Sequence, residues 1–196
     1  SQYYANIYIY ATWTRTDIQA PVVMVERVDY NTFKWTATDN LGVTGYMITT
    51  SSTKPTATAS GWITSGTLTS GTKDISSAGT YYVWAKDAGG NVSNAKSITA
   101  YTLTKTQGAN TTLTLREANA SGTALGTTAV LNGTTIYVYA SANTGYTLSS
   151  LTKAGTAITS GSTFVLNANT EVKSTATANS YTVTFNPNGG SVTPTT

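Results

Sequence analysis

With 196 residues, 39% of them hydrophobic and only 10% charged, the chain is long enough for one or two domains and apolar enough to bury real cores, which excludes disorder by composition. A net charge of +3, carried by singly scattered Lys and Arg, leaves no basic patch for nucleic acid. The absence of His and Cys excludes disulfides, thiolate metal sites and most nucleophilic or acid–base arrangements.

Thr and Ser take the place of the missing charge, and with Val, Ile and Tyr they favour strands, while Gly, Asn and Ser punctuate them. No window carries an amphipathic helical stripe, so the chain is expected to be all-β. In chain order, residues 5–14 (ANIYIYATWT) form the first expected strand, with Ile7, Ile9, Ala11 and Trp13 on one face. Asp17 to Pro21 is a linker, and Pro21 fixes the start of the next strand. Phe33, Trp35 and Ala37 alternate with Lys34, Thr36 and Thr38, and Tyr81, Val83 and Ala85 repeat the pattern. Such strands at short spacing argue for a sandwich, with Trp35 as a core anchor. Further on, Asn132-Gly133 is a two-residue hairpin signal, and Ile136, Val138 and Ala140 are expected to face inward. The last strand pattern, YTVTFNPNGG over 181–190, puts Tyr181, Val183 and Phe185 on one face.

Several of these runs resemble modules of bacterial surface proteins. YTVTFNPNGG resembles the opening strand of the internalin B (Listeria–Bacteroides) repeat, a small β-grasp module, and NIYIYATWT resembles its closing strand, here in reversed order. The runs WTATDNLGVTGY (35–46) and AGTYYVWAKDAGGN (78–91) resemble a bacterial immunoglobulin-like domain. NGTTIYVYA (132–140), GYTLSSLTKAG (145–155) and FVLNANT (164–170) resemble a divergent internalin B-type repeat. The resemblance implies tandem β-modules: a closing strand at 1–16, an immunoglobulin-like sandwich at 17–101, a divergent β-grasp-like repeat at 102–180 and a further opening strand at 181–196. It also implies an extracellular location, secreted or on a bacterial cell surface. A start at Ser1, with no signal peptide, membrane run or sorting motif, is expected of a processed or excised piece.

No catalytic residue or cofactor is expected: the eight acids are widely spaced, and the reading is a non-enzyme. Asp39, Asp87 and Asn91 fall in loops at one end of an immunoglobulin-like sandwich, where calcium is conceivable, but two carboxylates are a thin ligand set and the expectation is turn formation with little effect of calcium. A Lys–Asn isopeptide crosslink would need Lys34 or Lys86 buried, and alternation places both outward. Trp62, Tyr82 and Trp84 are the aromatics a glycan- or host-protein-binding module would use, with packing as the competing role. The expected function is structural: a stalk or fibre segment in which Ile7, Ile9 and Trp13 of one copy exchange strands with Tyr181, Val183 and Phe185 of another, or pair with neighbouring repeats of the same polypeptide. Neither nucleic acid nor membrane insertion is expected.

Overall fold

The computed structural model describes residues 16–184 and 188–189. The protein is all-β, and no helix occurs among the described residues. The strand-exchange residues Ile7, Ile9, Trp13 and Phe185 lie outside the described residues.

The strands in chain order are β1 (Val22–Arg27), β2 (Thr32–Thr38), β3 (Val43–Thr49), β4 (Ser70–Asp74), β5 (Gly79–Asp87), β6 (Lys96–Gln107), β7 (Thr111–Glu117) and β8 (Ala124–Leu125). They continue with β9 (Thr128–Leu131), β10 (Thr135–Ala142), β11 (Tyr146–Lys153), β12 (Thr156–Ala157), β13 (Thr163–Val165) and β14 (Thr170–Ala178). The chain divides into two compact units: Ser1–Tyr101 with Ala129–Asn132, and Thr102–Thr128 with Gly133–Thr196.

In the first unit, β1, β2 and β4 form an antiparallel sheet in the order β1-β2-β4, with Val25 opposite Trp35 and Trp35 opposite Gly71. A second antiparallel ladder runs β3-β5-β6, with Tyr46 opposite Ala85 and Tyr81 opposite Ile98. The two sheets share one core: Val23, Phe33, Trp35 and Ala37 come from the first, and Val83, Ala85 and Ala100 from the second. Along β2 the burial alternates as a half-buried strand must, with Phe33, Trp35 and Ala37 inside and Lys34, Thr36 and Thr38 outside. Ala129 and Leu131 complete this core, held by Leu131 N–H donating to the Tyr30 carbonyl (2.7 Å) and Asn132 N–H to that of Thr99 (2.8 Å).

That segment departs from the hairpin expected at Asn132-Gly133. A tight turn does form, with Gly133 at a φ of 84° that glycine adopts without steric cost. The strands on either side of it do not pair with each other: β9 pairs with β6, while β10 pairs with β7 and β13. The turn chemistry was legible; the partners were chosen by where each apolar strand could be buried.

In the second unit, one sheet has the order β13-β10-β7-β8, with Val138 opposite Leu115 and Ala140 opposite Leu113. The other joins β12, β11 and β14 to residues Leu103–Gln107 of β6, and the β14–β6 pairing is parallel. Ile136, Val138 and Ala140 point inward as their alternation predicts, and Leu103, Leu113, Leu115, Leu166 and Val172 are buried as well. Gly108 marks a close approach: its N–H donates to the Ser174 carbonyl at 3.0 Å. A Cβ there would stand 2.5 Å from that oxygen.

Candidate functional site

The acidic loop residues come together. Asp39 follows β2 and Asp87 ends β5, so both sit where antiparallel strands deliver them to one end of the first unit. Asp17 joins them from the linker, and carboxylate oxygens of Asp17, Asp39 and Asp87 lie within 4.8 Å of one another. Asp87 is buried and the other two are half-buried. Sequence spacing alone points to two of these acids, Asp39 and Asp87. Asp17 lies far from both along the chain, and only folding brings it to them.

Each carboxylate already serves as a local acceptor. Asp39 Oδ2 takes the Leu41 and Gly42 amides at 2.8 and 3.1 Å, an Asx turn that lets Gly42 adopt its φ of 101°. Asp87 takes the Asn91 amide on Oδ1 (2.9 Å) and the Asn91 side-chain amide on Oδ2 (2.8 Å). Asn91 Nδ2 also donates to the Asp17 carbonyl at 3.1 Å, so Asn91 presents its donor, and not its oxygen, to the acids. In this orientation it solvates the Asp87 carboxylate and does not offer its oxygen to a cation. Three carboxylates so close repel one another, and a hard divalent ion with oxygen preference is the species that would relieve that repulsion. The residues able to hold it are Asp17, Asp39 and Asp87.

The aromatic residues have a different fate. Trp84 is only 3% exposed. With Met47 and Val92 it forms a second, smaller core, covered by Ala57, Ala59, Trp62, Tyr82 and Ala95. Alternation correctly set Trp84 on the face opposite Val83, but that face is roofed by the 54–63 loop and not by solvent, so Trp84 cannot stack on a sugar ring. Its Nε1–H donates to Thr49 Oγ1 at 3.1 Å. Trp62 holds the roof in place: its Nε1–H donates to the Thr56 carbonyl at 2.9 Å, and the Lys86 ammonium lies 5.2 Å above its ring. Lys86 also donates to the Ala57 carbonyl at 2.8 Å. Lys34 points outward to Glu26 at 3.0 Å. Both lysines suggested for a crosslink are thus engaged in these other contacts.

Beyond β14, Tyr181 and Val183 are 78% and 71% exposed and belong to no strand. The Tyr181 hydroxyl accepts from Asn179 Nδ2 at 3.3 Å. No protein-family model matches this chain, and neither does any curated protein or solved structure.

Proposed function

We propose that this chain is a non-enzymatic structural segment of a secreted or surface-attached bacterial fibre or stalk, built of an immunoglobulin-like module and a β-grasp-like repeat. The observation that carries this reading is the segment after β14. Tyr181 and Val183 alternate with threonines in a strand pattern, yet they are 78% and 71% exposed. A segment with a strand pattern and an apolar face but no sheet is sticky, and pairing as a strand is its usual resolution. Burying each of these side chains contributes roughly 1.5–3 kcal/mol before ordering costs. The partner in this proposal is the 5–14 segment, whose sequence carries a strand pattern, of another copy or of a neighbouring repeat. A contact of that head-to-tail kind propagates into a filament when it does not close on itself.

The alternative, a carbohydrate- or host-protein-binding module using Trp62, Tyr82 and Trp84, loses its central residue to the small core around Trp84.

The test is a chain lacking residues 181–196, compared with the intact chain by sedimentation and electron microscopy. The shortened chain should keep its β circular-dichroism spectrum and melting behaviour but form no fibres. Fibres from the shortened chain, or a strictly monomeric intact chain at high concentration, would refute the proposal.

A further inference from the structure

The first unit contains a cleft of about 700 Å³ between the edge strands β3 and β4, lined by Trp35, Tyr46, Ile48, Tyr81, hydroxyl residues and Lys73. Its most informative atom is the indole nitrogen of Trp35. Trp35 is 98% buried, at 2% exposure. A buried indole N–H normally finds an acceptor. Trp62 and Trp84 obey this rule, through Thr56 and Thr49. Among the described residues Trp35 Nε1 has no acceptor, and it retains accessible surface.

The surroundings keep that N–H open. Gly71 lies directly opposite Trp35 across the β2–β4 ladder. A Cβ at Gly71 would stand 3.0 Å from Trp35 Nε1 and 3.1 Å from the adjoining ring carbons. Glycine thus leaves a gap at the indole edge that any other residue would close. Lys73 lies two residues further along β4, on the same face. Its ammonium makes no ion pair or hydrogen bond among the described residues.

The polar groups of the cleft have a distinct sign. Trp35 N–H and the Lys73 ammonium are donors only, the hydroxyls of Thr50 and Ser51 can donate or accept, and among the described residues no carboxylate lines the cleft. The complementary ligand is therefore rich in acceptors and negatively charged. A row of hydroxyls suits a ligand that is itself hydroxylated, and aromatic walls suit the apolar faces of its rings. The volume falls in the range of small-molecule sites and admits more than one sugar ring.

We propose that this cleft binds a carboxylate-bearing oligosaccharide, with an acid group at the Trp35–Lys73 end and ring hydroxyls along Thr50 and Ser51. This site is distinct from the Trp62–Tyr82–Trp84 face, and it stands whether or not the chain polymerises.

The experiment is a titration of the ¹⁵N-labelled chain with trigalacturonate, following the indole N–H resonances, with that of Trp35 identified by its loss in Trp35→Phe. The Trp35 resonance should move saturably while those of Trp62 and Trp84 stay fixed. The methyl ester of the same sugar and the Lys73→Gln variant should each weaken binding about tenfold, equivalent to about 1.4 kcal/mol. Lys73 is exposed, so Lys73→Gln should keep the amide spectrum of the intact chain, and Gly71→Ala should abolish binding by closing the gap at the indole. A Trp35 resonance that does not move at millimolar sugar would overturn the proposal. So would equal binding of the ester or of a triglutamate peptide, or undiminished binding by Lys73→Gln.

Discussion

Trp35 is the residue whose removal should hurt the first unit most, and the expected size of the effect follows from its surroundings. The side chain is 2% exposed, in a cluster with Val23, Phe33, Ala37, Val83 and Ala85, and its ring lies 4.2 Å from that of Tyr46. Truncating a buried Trp or Phe to Ala costs roughly 3–5 kcal/mol, because transfer free energy is lost and a cavity remains. The aromatic pair adds about 0.5–1.5 kcal/mol to what is lost. One feature works in the opposite direction: Trp35 borders an open cleft, so the hole left by Trp35→Ala can take up water and relax. These effects together place the expected cost near 3 kcal/mol, toward the lower end of the range. For a unit of this size each kcal/mol lowers the melting temperature by about 4 °C or more, so a fall of about 12 °C is expected. Differential scanning calorimetry measures it directly. A urea titration should give a lower midpoint with an unchanged slope, the signature of lost stability without a change in the surface exposed on unfolding. Trp35→Phe should cost clearly less, since most of the buried area is retained. A shift of only a degree or two for Trp35→Ala would refute the assignment of Trp35 as the anchor of this core.

Calcium at about 10 mM should move the melting temperature by no more than about a degree or two, because the carboxylates of Asp17, Asp39 and Asp87 already accept local hydrogen bonds and Asn91 turns its donor toward Asp87. A rise of many degrees, reversed by chelator and lost in Asp39→Asn, would instead make Asp17, Asp39 and Asp87 ligands. Trp84→Ala should lower the melting temperature, by about 3 kcal/mol in stability, without changing sugar binding, whereas a loss of sugar binding at unchanged stability would restore Trp84 as a ligand-contacting residue. In the second unit, Gly108→Ala should cost roughly 1–3 kcal/mol by pushing the backbone off the Ser174 carbonyl. A neutral result in denaturant titration would mean that β6 and β14 can separate there without penalty.

Much of the local structure could be read from residue order alone. The all-β class followed from Thr, Val, Ile and Tyr in period-2 runs without a helical stripe. The inward faces of β2 and β10 followed from the same period, because neighbouring side chains on a strand must point to opposite sides. What alternation cannot tell is whether the opposite side meets water. Trp84 shows the difference: its face was assigned correctly, yet a loop from residues 54–63 covers it, and loop placement is a long-range decision that no local period encodes. The run Ala129-Val130-Leu131 carries no alternation at all, and that Ala129 and Leu131 enter the first core was decided by which apolar surface remained uncovered. The convergence of Asp17 with Asp39 and Asp87, and the free indole N–H of Trp35 beside Gly71, arise in the same way. Each joins residues distant in sequence through strand pairing and sheet packing, so their chemistry exists only once the tertiary structure has formed.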